Sequence, residues 1–398
     1  MNKKSADRDK TARVLIGASA FGASFFDPDI RWRTQFNAPD RFIAVHFGGK
    51  TVLITHDLEY ERAKKQARVD AVLLTSELCE SLKLQANSPA SVWLPAYLKN
   101  IGAKRVLLPP FFGLPLALAK SFDVSTPESG HLFDERAVKT EQEIGYIRAV
   151  RDATEHVLDV VFRALEDADI LDGKIRDTRG TFVEPGEFIT AEAVRAFMNK
   201  EFVGRGCFCP DAIIASGDQA VDPHCIGFGP LRVNVPIVFD IFPRSMENLY
   251  WYDTTRTIVK GKLSAEARRL YGAVKTAQEM GLGEVRAGVN GKKIHNKIVT
   301  YFEKLGYKTG LQKAVVEGRE VMLMQGFFHG TGHGVGVDIH EEPRISLVNS
   351  ELKADMVVTV EPGLYYYGVG GVRIEDTVLV TEDGCKNLSR YTKELLEL

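Results

Sequence analysis

The chain has no window of 18 uninterrupted apolar residues, so neither a membrane-spanning helix nor a membrane partner is expected. Neither sign of charge dominates. Lys and Arg number 51 and Asp and Glu 53, a formal net charge of -2, which excludes the strongly basic surface that nucleic acid selects. Cysteine is scarce: Cys79, Cys207, Cys209, Cys225 and Cys385 in 398 residues do not make a disulfide framework. No pair has the two-residue spacing of a zinc knuckle, and Cys207, Cys209, His224 and Cys225 lack the close ligand pairs of a soft-metal site. Free thiols in a reducing compartment fit better, and the expected location is cytoplasmic. There is no low-complexity tract and no repeat of 20–50 residues.

What is present is globular in composition, with 44% hydrophobic and 26% charged residues, and long enough for two or three domains. Met1 to Arg13 is charged and the stretch to Phe26 is fairly apolar, an outline like a leader peptide. But Asp7 and Asp9 sit in the charged part, and glycines interrupt the apolar part before Asp27 and Asp29. A strand and turn are expected there instead.

Short apolar runs then alternate with helical stretches. Arg13–Gly17, Phe42–Phe47, Thr51–Thr55, Ala71–Thr75 and Arg105–Leu108 read as strands, with Gly48-Gly49-Lys50 as a hairpin turn. Leu58–Arg68 has helical spacing. This predicts an α/β domain over residues 1–132. A turn-rich break at Ser125–Gly130 precedes Thr140-Glu-Gln-Glu143, a capping box, and Ile144, Ile147, Val150, Val157, Val161 and Leu165 recur at helical spacing after it. Further helices are expected at Ile189–Phe202, Leu263–Val285 and Gly291–Leu305, with Asp172–Gly186 as a loop. Residues 133–398 therefore read as an α+β domain.

The chemistry-bearing residues lie in that second part. Val235-Pro-Ile-Val-Phe-Asp240 is an apolar strand ending in a carboxylate, and Tyr250-Trp-Tyr-Asp-Thr-Thr-Arg-Thr257 reads as a second strand that holds Asp253, across a turn at Pro243–Asn248. Between His329 and His340, three of the nine histidines fall in a stretch with glycines at 330, 332, 334 and 336. Those glycines forbid a stable helix, and they suit a backbone that passes very close to a neighbour. The helical motif of two histidines flanking a glutamate is absent. Val357-Val-Thr-Val-Glu361 delivers another carboxylate, and Glu375 lies inside the apolar run Val372–Val380. A carboxylate in such a run costs several kcal/mol unless it is paired or bound to metal. Two Asp, two Glu and one His make a hard donor set suited to Mn²⁺, Co²⁺, Fe²⁺ or Zn²⁺. Four carboxylates balance two divalent ions ~3.5–4 Å apart better than one, and such a pair implies amide hydrolysis.

The segments Phe239-Asp240, Asp253-Thr-Thr-Arg-Thr257, His329-Gly-Thr-Gly-His-Gly-Val-Gly336, Ile339-His-Glu-Glu-Pro343, Thr359-Val-Glu-Pro-Gly-Leu364 and Gly371-Val-Arg-Ile-Glu-Asp376 occur in order. Together they resemble the pita-bread metallopeptidases, which include Xaa-Pro aminopeptidase, Xaa-Pro dipeptidase (prolidase), methionine aminopeptidase and creatinase. The resemblance covers roughly residues 135–398. It implies a pita-bread catalytic domain, and the first domain resembles the creatinase-type N-terminal domain in length and strand pattern only.

Residue by residue, the resemblance implies Asp240, Asp253, His333, Glu361 and Glu375 as ligands of two divalent ions, Mn²⁺ first. It implies His224, His329 and His340 as pocket histidines that hold substrate and stabilise the oxyanion. Glu361 is implied as a proton shuttle, and Arg373 as a group near substrate or Glu375. It further implies a homodimer that cleaves small peptides with proline second, by attack of a water held between the metals. Dipeptidase and aminopeptidase activity stay open at this point. So do another metal-dependent hydrolase or lyase of the same fold, and a non-catalytic protein-binding module. The interval from Asp240 to Asp253 is longer than is usual for the family, and Ile-Phe-Pro follows Asp240 where small residues are common. The short interval from Glu361 to Glu375 and the large first domain point away from methionine aminopeptidase.

Overall fold

The computed structural model describes residues 10–20, 22–23, 26–109, 118–127, 131–316 and 318–398. The first nine residues and the end of the turn-rich break, residues 128–130, lie outside that description. The chain divides into two compact units, Met1–Arg136 and Ala137–Leu398.

In the first unit a six-stranded sheet has the order β4-β3-β2-β1-β5-β6. Its strands are β1 (Thr11–Gly17), β2 (Phe42–Phe47), β3 (Lys50–Thr55), β4 (Ala71–Leu74), β5 (Arg105–Leu107) and β6 (Asp123–Ser125). The β2–β3 hairpin closes on Gly48 and Gly49, at φ 58° and 77°. Two adjacent positive φ values define a turn whose twist matches the strands, and glycine takes them at no steric cost. Helices Pro28–Thr34, Asp57–Gln66, Thr75–Ser81 and Ala90–Asn100 separate the strands, as an α/β unit requires.

The second unit opens with the helix Glu141–Asp167. Thr140 accepts from the Glu143 backbone N–H while the Glu143 carboxylate accepts from the Thr140 N–H, so two otherwise orphaned donors are satisfied. Ile144, Ile147, Val150, Val157, Val161 and Leu165 all face inward. The Asp172–Gly186 stretch differs from the expected loop. It begins inside a hairpin of Asp169–Leu171 with Lys174–Arg176, turned at Asp172 and Gly173. Strands of three residues are too short to show a period.

Two sheets carry the functional part. One has the order β10 (Ile213–Ser216), β11 (Ile237–Ile241), β13 (Thr254–Val259) and β23 (Leu396–Glu397). The other runs β17 (Glu341–Ile345), β16 (Gly332–Gly334), β18 (Val357–Val360), β21 (Asp376–Val380) and β22 (Cys385–Asn387). Helices Ala265–Glu284 and Gly291–Lys304 bury Leu270, Val274, Ile294 and Ile298 against Val358, Val360, Val378 and Val380 of the second sheet. Each such side chain contributes about 1.5–3 kcal/mol when fully buried, so the sheet that carries His333 is firmly backed. Among the described residues no helix is long and apolar enough to cross a membrane.

Candidate metal centre

The site is assembled from two interrupted hairpins. In the first, Asp240 on β11 pairs with Thr255 on β13, and Asp253 sits just before β13 begins. The long connection between them is ordered. Arg244–Ser245 forms a short strand against Cys207–Phe208, and the Tyr250 hydroxyl donates to Glu143 of the capping box. In the second, β18 pairs with β21 and Gly363–Tyr366 pairs with Gly370–Arg373. Between these two ladders the pairing breaks at residues 361–362 and 374–375. Glu375 therefore lies in a break between strands, not inside a continuous one, and Glu361 lies in the facing break. Freed from the ladder, both carboxylates turn to the same cavity.

Three of the four glycines in the 329–340 stretch, Gly332, Gly334 and Gly336, act by close approach. A Cβ at Gly332 would overlap the Thr359 carbonyl oxygen, so no larger residue fits beside β18. Behind this stretch Lys139 donates to the Ala137 carbonyl and to Glu341, a buried ion pair.

One cavity of about 610 Å³ is lined by His224, Asp240, Asp253, His329, His333, His340, Glu361, Arg373 and Glu375. Every site residue expected from the sequence is thus in its wall. Ligand atoms of Asp253, His333 and Glu375 lie within 4.8 Å of one another. His333 Nε2 is 3.4 Å from Glu361 Oε1 and 3.7 Å from Asp253 Oδ2. The Gly334 carbonyl accepts from His333 Nδ1 at 3.1 Å, so the proton is on Nδ1 and Nε2 presents a lone pair. Burial, then His340, lowers the His333 pKa to about 3. A neutral lone pair facing two carboxylates is no ion pair; it is a place for a cation.

The carboxylates say the same. Burial first, and then Asp240 and Glu361, push the Asp253 carboxyl well above its usual range. Burial and Asp253 do the same to Glu375. Burial, opposed by Arg373 and reinforced by Asp240, raises Glu361 to about 8. Asp253 Oδ1 and Glu375 Oε1 are buried without a hydrogen-bond partner, an arrangement that costs ~1–3 kcal/mol per group or more for charged ones. Hard oxygen donors, one imidazole and two orphaned oxygens fit divalent ions.

Asp240 is differently placed. Its Oδ2 accepts from Arg373 Nη2 at 2.5 Å and its Oδ1 lies 3.0 Å from the Thr255 hydroxyl, which also sits 2.7 Å from Glu375 Oε2. Arg373 Nη1 donates to the Tyr365 hydroxyl at 2.8 Å. The Gly330 carbonyl holds the proton on His329 Nδ1 at 2.7 Å, so His329 Nε2 accepts from Tyr365 at 2.8 Å. Both His329 nitrogens are therefore occupied, whereas His224 and His340 are exposed in the cavity wall. The sequence reading did not single out Tyr365, which is fully buried, nor Thr255. Their signal was position: Thr255 lies inside the Asp253–Thr257 segment and Tyr365 directly follows the Thr359–Leu364 segment. It also passed over Arg344, whose guanidinium reaches the cavity with Glu342 at 3.9 Å.

A model of metallopeptidase family M24 matches residues 145–382. A curated Xaa-Pro dipeptidase of Pyrococcus furiosus is 33% identical over 264 residues, 66% of this chain and 66% of that protein. An Xaa-Pro aminopeptidase 1 of Streptomyces coelicolor is 32% identical over 297 residues, 70% of this chain and 57% of that one. The matches thus span about two thirds of the first relative and less of the second. Among solved structures, the prolidase of Pyrococcus horikoshii OT3 superposes with a TM-score of 0.75 at 23% identity, covering 99% of this chain and 98% of that one. The X-Pro aminopeptidase of Thermotoga maritima gives 0.72 at 22% identity, covering 98% and 97%. These likenesses bear out the expected fold class, an α/β N-terminal domain with an α+β pita-bread domain.

Proposed function

The chain belongs to metallopeptidase family M24, and from that premise we propose that it hydrolyses the bond between a first residue and a second-position proline, in dipeptides above all, at a two-ion centre. The observation that carries this reading is the pair of orphaned buried oxygens, Asp253 Oδ1 and Glu375 Oε1, beside the free lone pair of His333. Asp240, Asp253, His333, Glu361 and Glu375 would hold the ions, with Mn²⁺ the first choice by resemblance. Divalent ions there supply a water ionised near neutral pH and a Lewis acid for the scissile carbonyl.

The chain's own groups do the rest. Glu361, whose Oε1 is 3.4 Å from His333 Nε2, would carry a proton to the leaving imino nitrogen. His224 and His340 are free to donate to the developing oxyanion. His329 and Arg373, with their bonds already committed to Tyr365, Gly330 and Asp240, are positioning residues. Arg344 favours a dipeptidase. It is a cation in a cavity otherwise rich in carboxylates, and it suits the C-terminal carboxylate of a two-residue substrate. The free thiols suit a cytoplasmic setting, and a homodimer is carried over from the resemblance.

The test is proline release from Leu-Pro beside leucine release from Leu-Pro-Gly, in protein stripped of metal and reloaded with Mn²⁺. Faster turnover of the dipeptide is expected. Cleavage of the tripeptide alone would overturn the dipeptidase assignment. If two ions bind per chain and neither peptide is cut, the centre stands and the substrate class falls. His333→Ala is expected to abolish ion binding by calorimetry as well as hydrolysis.

A further inference from the structure

Behind the histidines lies a charged pair that the metal chemistry does not use. The Lys139 and Glu341 side chains are 1% and 2% exposed, and the two residues stand 202 positions apart in the chain. Lys139 Nζ donates to the Glu341 carboxylate and, at 2.9 Å, to the Ala137 carbonyl. The Lys139 backbone N–H, just before the capping residue Thr140, donates to the Asp355 carbonyl at 2.8 Å. Lys139 is thus fixed both at its backbone and at its ammonium end. A buried ion pair is no more stabilising than a well-packed apolar pair of the same volume, because both charges lose their hydration. What it adds is direction, since a charge-assisted hydrogen bond fixes where its two ends stand.

Glu341 stands at the foot of an arch. The chain leaves β16 after His333, returns at His340, and Glu341 then pairs with Gly334. The Glu341 carboxylate lies inside the arch, where a Cβ at Gly336 would stand 2.5 Å from Oε1. The rings of His333 and His340 meet edge to face with centroids 4.4 Å apart. The two histidines are held differently. The His333 backbone N–H donates to the Thr359 hydroxyl at 3.1 Å, and the Val335 N–H donates to the Val357 carbonyl at 3.0 Å, so β18 secures that end without Glu341. Trp251 donates from both of its nitrogens to the Gly336 and Val337 carbonyls at the crown. At the far end the His340 carbonyl accepts from Arg344 at a long 3.4 Å. The firm tie there is the neighbouring Glu341, bound to Lys139.

We infer that Lys139 and Glu341 are positioning residues for His340: their bond sets where the His340 imidazole stands relative to His333, and so where it donates to the developing oxyanion. This deepens the peptidase reading and rests on it. Neither residue touches substrate, and both act through the backbone of residues 340 and 341. A misplacement of about 1 Å in a group that acts on the transition state costs on the order of 100-fold in rate. Ion binding draws on His333 and the carboxylates, which do not depend on His340.

The experiment uses two variants of the full chain. Lys139→Met with Glu341→Leu removes both charges at similar volume and leaves neither unpaired. Glu341→Asp keeps the charge on a side chain one methylene shorter, and it carries the test if the double variant does not fold. For each, kcat and KM on Leu-Pro and Leu-Pro-Gly are measured beside Mn²⁺ affinity by calorimetry. The Hε1 resonance of His340 in chelated protein, identified by its absence in His340→Gln, reports the ring directly. In the double variant kcat is expected to fall about 100-fold, with KM, Mn²⁺ affinity and melting temperature close to wild type and the Hε1 resonance displaced. Glu341→Asp is expected to lose at least about tenfold in kcat in the same pattern. Wild-type kcat in the double variant, or in Glu341→Asp where the double variant does not fold, overturns this inference and leaves the peptidase reading standing. So does a loss of Mn²⁺ affinity that matches the loss of kcat, which would make the pair a support of His333. A wild type that binds two ions and cleaves neither peptide overturns the peptidase reading and this inference with it.

Discussion

Replacing Glu375 with glutamine is expected to move the melting temperature in opposite directions with and without metal. The amide keeps the shape of the carboxylate, and its oxygen can still accept from the Thr255 hydroxyl at 2.7 Å. What it removes is a buried carboxyl whose Oε1 has no partner and which burial, Asp253, Glu361 and Asp240 push well above its usual range, so that folding must either hold an uncompensated charge or take up a proton. Relief of one such group is worth ~1–3 kcal/mol. At roughly 2–4 °C per kcal/mol for a unit of this size, chelated Glu375→Gln should melt about 2–12 °C above chelated wild type. With metal the sign reverses. Two ions, each at about 100 times its dissociation constant, add ~5.4 kcal/mol to a chain that binds them, and a variant that no longer holds them forfeits this, which exceeds the ~1–3 kcal/mol of relief. Scanning fluorimetry or calorimetry with EDTA and with Mn²⁺ gives all four values. If the variant melts below wild type in EDTA as well, Glu375 is not an uncompensated charge and the argument for ions from crowded carboxylates fails. Equal melting of wild type in EDTA and Mn²⁺ refutes it independently.

The pH dependence of the chelated protein follows the same crowding. Glu361 rises from 4.5 to about 8 on folding, so the folded chain holds the extra proton between those values. Its contribution is fully present below about pH 4.5 and is lost as pH rises through about 8. Urea titrations of chelated protein should show stability falling across that window, and Mn²⁺ should flatten the fall; a rise with pH would contradict it. Gly332→Ala is expected to cost several kcal/mol, because its Cβ meets the Thr359 carbonyl. Gly330→Ala, whose nearest neighbour would be Ser346 Cβ at 3.4 Å, should melt close to wild type, and equal losses at both positions would refute the close-approach reading.

Much of this was local. Alternating apolar runs and the paired glycines at 48 and 49 predict the first-unit hairpin because strand periodicity and positive φ are properties of neighbours in sequence. The capping box at Thr140 is equally local, and so are the five candidate ligands, since Asp240, Asp253 and Glu361 end apolar runs, Glu375 lies within one, and His333 lies in a glycine-rich stretch. The Asp169–Arg176 hairpin escaped because its strands are too short for a pattern. The break at Glu375 escaped because the run Val372–Val380 looks continuous when its partner strand is unknown. Tyr365 escaped because a buried tyrosine resembles core until its partners are seen, and these are Arg373, eight residues on, and His329, 36 residues back.

The order and chemical type of the donor groups, and with them the family, were determined by the sequence alone, because they depend on which residues stand in which local pattern. Tertiary structure alone decided which oxygens are left without partners and which histidine nitrogens are already taken. Those depend on where two sheets and a long connection bring residues that are distant along the chain. No local period encodes that distance.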